Sequence, residues 1–198
     1  MNDFERFKFV KQIVPTHPID ARSATPSRFL PFPPIYPPMY QFDIAAGSKA
    51  ELYRDLLAAL DALTADEPDP VANMANAAAL IWEYLPDLNW AGFYRNVDGG
   101  LVLGPFQGKV ACIRIAFGDG VCGAAAKTRE TQLVEDVLAF PGHIACDVAS
   151  RSELVVPVVV EGRLVGVLDL DSPSPARFDA EDTKGCEALV ALLGPRIA

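Results

Sequence analysis

From Ser48 onward, the spacing of apolar positions changes twice, dividing the chain into helices, a run of strands and a closing helix. Leu52, Leu56, Leu57, Leu60 and Leu63 recur at helical spacing and predict a helix over Lys49–Ala65. Asp66-Glu67-Pro68-Asp69-Pro70 breaks it, and an alanine-rich helix follows over Val71–Tyr84, stopped by Pro86. The period then shortens. Asn89–Asn96 and Leu101–Phe106 read as strands around the turn Val97-Asp98-Gly99-Gly100, a hairpin signal. Ala111–Phe117 predicts a third strand, Val121–Thr128 a short helix after Gly118-Asp119-Gly120, and Thr131–Val134 a short strand. Residues 135–151 show little periodicity and read as a long loop. Ser152–Val160 and Arg163–Asp171 are β-branched strands joined by Glu161-Gly162. A last helix is expected from Asp179 to Leu193, with Pro195 beyond it. Hairpins imply a mainly antiparallel sheet, and helices at both ends can cover one face, so the fold class is α/β of the α+β kind.

The first 45 residues follow other rules. Eight of the seventeen prolines precede residue 39, including those in Pro31-Phe32-Pro33-Pro34-Ile35-Tyr36-Pro37-Pro38. Proline lacks a backbone donor and fixes φ, so this stretch is neither a helix nor a central strand. The expected division is a Pro-rich tail over 1–45, either a loose tail or a docking arm, and a domain over 46–198. Met39 is an alternative start, because organised sequence begins just after it.

Charge narrows the partners. The net charge is −9, and residues 39–198 carry twelve basic and twenty-three acidic groups. A domain this acidic repels phosphate backbones and anionic lipid, which argues against nucleic acid and membrane partners. No apolar run reaches the roughly 20 residues of a bilayer span. The N-terminus does not read as a secretory signal, and Asp3, Glu5 and Asp20 weigh against a transit peptide, so the expected compartment is cytoplasmic. Four cysteines are too few for a disulfide scaffold, and in a reducing compartment they act as core fillers, metal ligands or redox groups.

Reactive groups crowd the poorly periodic middle of the chain. Cys146 lies in the long loop, with His143 three residues and Arg151 five residues away as cations able to stabilise a thiolate. It is the best candidate nucleophile. Cys112 and Cys122 are both candidates to resolve a sulfenic acid by disulfide formation, while Cys186 fits the apolar side of the last helix. Zinc through His143, Cys146, Cys112 and Cys122 is disfavoured because no close ligand pair of the C-x₂-C kind is present. Asp169 and Asp171 share one face of their strand, and Glu153 begins its neighbour in sequence. Such acids either meet solvent or hold an ammonium group, and one kept protonated could act as a proton donor. Trp90 and Tyr94 share a face too, as core or as an aromatic wall for a small apolar group.

Six segments carry a resemblance: Asn89-Trp90-Ala91-Gly92-Phe93-Tyr94, Leu103-Gly104-Pro105-Phe106-Gln107-Gly108, Gly120-Val121-Cys122-Gly123, Phe140-Pro141-Gly142-His143-Ile144-Ala145-Cys146-Asp147, Ser150-Arg151-Ser152-Glu153, and Gly166-Val167-Leu168-Asp169-Leu170-Asp171-Ser172. In that order they resemble the free methionine-(R)-sulfoxide reductases, which are built on a GAF domain. The resemblance implies a GAF-like fold with a six-stranded antiparallel sheet and packed helices. It implies that the substrate is free L-methionine (R)-S-oxide, with Cys146 as the catalytic cysteine, Cys112 as the resolving one and Cys122 as an auxiliary. It implies that Glu153, Asp169 and Asp171 hold the substrate amine and the protonated oxygen, that Trp90 packs on the methyl group with Tyr94 nearby, and that no cofactor is bound. Thioredoxin would be the reductant, and a homodimer through the two N-terminal helices is the implied assembly. The alternative is a non-catalytic GAF module that binds a ligand or senses redox state.

Overall fold

The structure, a computed structural model, describes residues 47–142 and 147–198. The Pro-rich tail, His143 and Cys146 lie outside the described residues. Two helices open the fold, α1 at Lys49–Thr64 and α2 at Pro70–Tyr84. Ser48 caps α1 in a reciprocal box with Glu51. Asp69 caps α2 by accepting from the backbone of Val71 and Ala72, and Pro70 starts it where no N–H is needed. Strands β1 (Trp90–Val97), β2 (Gly100–Gly108) and β3 (Arg114–Ala116) follow, then helix α3 (Gly120–Thr128), strands β4 (Gln132–Val134), β5 (Ser152–Val160) and β6 (Arg163–Ser172), and helix α4 (Ala180–Ile197).

The six strands form one sheet in the order β3-β2-β1-β6-β5-β4, and each neighbouring pair is antiparallel. Both sequence hairpins are two-residue turns with positive φ at each central residue, Asp98-Gly99 and Glu161-Gly162, the geometry that matches strand twist. The β1–β2 register shifts between Gly92 and Tyr94, where β2 carries the extra residue beside Pro105, and a bulge is where a strand tolerates a missing donor.

Alternation sorts the sheet into two faces. Ala91, Phe93, Leu154, Leu168 and Leu170 are buried on the face packed by α2 and α4, with α1 lying against those two helices. Trp90, Tyr94, Val155 and Val167 point to the other face, where α3, Val137 and Phe140 close a second core. It is this second face that carries the acids.

Three local features differ from the sequence expectation. The third strand is shorter than Ala111–Phe117, because residues 110–111 leave the sheet edge to line a cleft. The long loop contains a 3-10 turn at Val137–Ala139, started by Asp136 accepting from Leu138 N–H. Helix α4 continues through Pro195 to Ile197. Its last turn is held from outside: Arg196 donates to Thr64 Oγ1 and Asp61, and its carbonyl accepts from Asn73. Those contacts offset the hydrogen bond that proline removes near the helix end. No helix among the described residues is long and apolar enough to cross a membrane.

Candidate functional site

Strand register, not chain proximity, assembles the site. Trp90 on β1 pairs with Asp171 on β6, which pairs with Glu153 on β5. These three side chains therefore stand in one row across three strands. One step along, Gly92 pairs with Asp169, and Asp169 with Val155. The same face thus holds an aromatic ring at one end of the row and three carboxyl groups beside it. Helix α3 covers the face and brings Cys122 down to Glu153, with its thiol 3.9 Å from the carboxylate Oε1.

Trp90 is fixed on both sides. Its ring stacks on Tyr94 at 5.7 Å and on Phe106 at 5.2 Å between centroids. Gly92 allows this arrangement, since a Cβ there would fall 2.3 Å from the Phe106 Cβ. The Trp90 indole Nε1–H is buried and has no hydrogen-bond partner among the described residues. Phe106 sits inside a recognised segment, but its role as the third ring of the stack depends on the β1–β2 register.

A cleft opens over this row, enclosing about 530 Å³ of empty space including its mouth. Trp90, Tyr94, Cys122, Glu153, Asp169 and Asp171 all line it. Asp147, Ser150 and the N-terminus of α3 at Gly120 and Val121 line it as well, and the sequence did not single these out as site residues. Their signal was present only as membership of the matching segments.

The acids are electrostatically unusual. Glu153 and Asp169 are 7% and 5% exposed, and no lysine or arginine among the described residues pairs with them. Burial, reinforced by the charges of Asp169 and Asp171, holds the Glu153 carboxyl well above the usual range. Burial and the neighbouring Asp169 and Asp147 do the same to Asp171. Asp169 is pushed up to about 6 by burial, opposed by hydrogen bonds from Cys122 and Glu153. The hydrogen bond between Glu153 and Asp169 raises the former and lowers the latter, which favours the proton on Glu153, while Asp169 Oδ1 has no partner among the described residues. Cys122, Glu153 and Asp169 each offer a ligand atom within 4.8 Å of the others, so they are the described groups that could hold a metal ion. The zinc set weighed in the sequence was different, and two of its members fall outside the described residues.

The cysteines divide by environment. Cys112 is disulfide-bonded, while Cys122 and Cys186 carry free thiols. Burial first, and then the charges of Asp169 and Glu153, drives the Cys122 thiol up, which makes it a poor attacking thiolate despite its place in the first turn of α3. Cys186 is buried at the α1–α4 contact and pushed up to about 12 by burial. Arg151, a sequence candidate for thiolate stabilisation, pairs its guanidinium with Asp136 at 3.0 Å.

Comparison with known proteins gives this arrangement a setting. The GAF domain family matches residues 72–198. The chain is 53% identical over 146 residues to the free methionine-R-sulfoxide reductase of Escherichia coli, covering 74% of this chain and 88% of that protein. It is 45% identical to the enzyme of that name from Saccharomyces cerevisiae, covering 74% and 86%. Among solved structures, it is similar to the free methionine-R-sulfoxide reductase of Neisseria meningitidis in complex with its substrate, at 46% identity and a TM-score of 0.77, covering 80% of this chain and 96% of that one.

Proposed function

The chain belongs to the free methionine-R-sulfoxide reductases of the GAF domain family, and from that premise we propose how its cleft performs the reduction of free methionine (R)-sulfoxide. The observation that carries the proposal is the row Trp90–Asp171–Glu153, with Asp169 beside it: one apolar wall and three acids in one cleft, none paired with a cation among the described residues.

A free amino acid sulfoxide carries an ammonium, a carboxylate, a polar oxygen and a methyl group, and each finds a counterpart. Asp169, the most acidic of the three groups, faces the ammonium, and its unpaired Oδ1 is available to it. Burial and neighbouring carboxylates push Glu153 and Asp171 toward their protonated forms, and Glu153 donates a proton to the sulfoxide oxygen as charge builds there. Trp90, locked in its stack, packs on the methyl. The first N–H groups of α3 lie at the cleft and suit the carboxylate. A peptide-linked residue lacks the ammonium and leaves buried acids without a cation, at a cost of several kcal/mol.

In the chemical steps, the Cys146 thiolate attacks the sulfoxide sulfur, and oxygen passes to the cysteine. Methionine leaves, and Cys146 becomes a sulfenic acid. The Cys112 thiol displaces that oxygen as water and forms a disulfide, which a dithiol protein of the thioredoxin class reduces. The disulfide bonding of Cys112 and the free thiol of Cys122 support Cys112 rather than Cys122 as the resolving cysteine. Cys122 then serves as an auxiliary whose thiol donates to Glu153. The same reading includes a cytoplasmic site of action and a homodimer through α1 and α2, where Val71 and Trp82 are exposed.

Single-turnover chemistry tests the assignments. Cys146→Ser is expected to release no methionine. Cys112→Ser is expected to release about one methionine per enzyme and then stall with thioredoxin present. Normal recycling by Cys112→Ser would remove Cys112 from the resolving role.

A further inference from the structure

Three residues from the recognised segments have no part in the chemistry above: Asn89, Asp147 and Ser150. The structure brings them together. Asn89 stands at the head of β1, and its backbone N–H donates to the Asp171 carbonyl at 3.0 Å. Its side-chain Nδ2 donates to Asp147 Oδ2 at 3.2 Å and to Ser150 Oγ at 3.0 Å. Asp147 Oδ1 accepts from Ala149 N–H at 3.0 Å, which turns the chain locally, and Lys109 Nζ lies 3.4 Å from Oδ2. The hydrogen bonds from Ala149 and Asn89 and the Lys109 charge hold Asp147 below the usual carboxylate range, against its burial.

We propose that Asn89 and Asp147 are a positioning pair that fixes the segment entering the cleft at residue 147 to the strand end bearing Trp90 and Asp171. The proposal rests on the reading of Cys146 as nucleophile, because Asp147 follows it in sequence. Asn89 is suited to the task by its neighbours. It precedes Trp90, and its backbone is bonded to Asp171, so it reports the position of the aromatic wall and of one acid at once. An attack on sulfur is sensitive to sub-ångström placement, so a tether at the adjacent residue acts on the rate of the step rather than on ligand affinity. Lys109 adds a looser link. It lies three residues from Cys112 and is exposed, so its ion pair with Asp147 contributes little by itself.

The hydrogen bond of the pair can be reversed, and the split between maximum rate and half-saturation then separates positioning from binding. In Asn89→Asp, two carboxylates face each other across 3.2 Å. In the double variant Asn89→Asp/Asp147→Asn, the amide introduced at position 147 donates to the carboxylate at position 89, and Ser150 can donate to it as well. The carbonyl oxygen of that new amide still accepts from Ala149 N–H. The test is single-turnover methionine release from free methionine (R)-sulfoxide, read as maximum rate and half-saturation separately. Asn89→Asp should lower the maximum rate by about tenfold or more with half-saturation little changed, and the double variant should recover to within about threefold of the parent. Asn89→Ala, which removes the donor without adding a charge, should fall by about three- to tenfold and covers the case in which Asn89→Asp does not fold. A double variant no faster than the slower single variant, or an Asn89→Ala enzyme with the parent rate, overturns the proposal. A parent enzyme that releases no methionine overturns instead the reading on which it rests.

Discussion

Two buried acidic clusters in this molecule have opposite surroundings. At the junction of α1 and α4, Asp182 is fully buried and every direction around it is filled. Lys49 Nζ lies 2.5 Å from Oδ2 and Arg177 3.2 Å from Oδ1, Tyr53 donates from its hydroxyl at 2.9 Å, and the Asp179 N–H closes the helix cap. In the cleft, Glu153, Asp169 and Asp171 have carboxyl groups as neighbours, and among the described residues they have no paired cation and one oxygen without a partner. The first cluster is complete as it stands and joins two helices. The second has no such partners among the described residues, which is what the proposed binding of a cationic guest requires. On that proposal, the same residue type serves as a fastening in one place and as a receptor in the other.

Substitutions separate the two. Asp182→Ala should have the largest effect, a loss of about 3–5 kcal/mol in urea unfolding, because it strands two cations and a phenol. If stability stays unchanged, the junction is not a fastening. Glu153→Gln and Asp171→Asn should each cost about 2–4 kcal/mol of transition-state stabilisation, read from kcat/KM, with no loss of unfolding stability. Unchanged kinetics would remove that acid from the chemistry. Asp169→Asn sharpens the contrast through pH. With the folded value raised from 3.8 to about 6, ionising Asp169 opposes folding, so the parent loses stability as pH rises through that window and levels off above it. The variant should therefore gain on the parent between about pH 4 and 6, by roughly 3 kcal/mol in all. An equal stability difference at both ends would place Asp169 in a solvated setting. The smallest effect is expected where the two regions meet. Ser152 donates to the Ser174 carbonyl and accepts from Arg177 N–H, beside Glu153. Ser152→Ala should lose about 1–2 kcal/mol, and a neutral result would detach the junction from the acid row.

Local chemistry made much of the fold legible. Helical leucine spacing, the prolines that bound the second helix, and the Asp-Gly and Glu-Gly turns placed α1, α2 and both hairpins within a residue or two. Expectations failed where distant contacts decide. Arg196, reaching Asp61 and Thr64 on α1, carries α4 past Pro195, and the cleft draws residues 110–111 away from the sheet. The site followed the same rule. Asp169 and Asp171 share a face by their spacing alone, but the place of Glu153 and Trp90 beside Asp171 comes from β1–β6 and β5–β6 pairing. The ion pair of Arg151 with Asp136, 15 residues away, likewise depends on the fold. Asn89 and Asp147 are 58 residues apart, and nothing short of the folded register joins them.

The central claim, that the acids of the cleft, unpaired with a cation among the described residues, receive a free amino acid sulfoxide, is tested by comparing the free substrate with its epimer and with a peptide-bound form that lacks the free ammonium. Methionine formation should be followed with thioredoxin, thioredoxin reductase and NADPH, using separated R and S epimers of free methionine sulfoxide and the R epimer within a peptide. The account predicts turnover of the free R epimer, with the free S epimer and the peptide-bound residue left intact. Comparable turnover of the peptide-bound residue would contradict it.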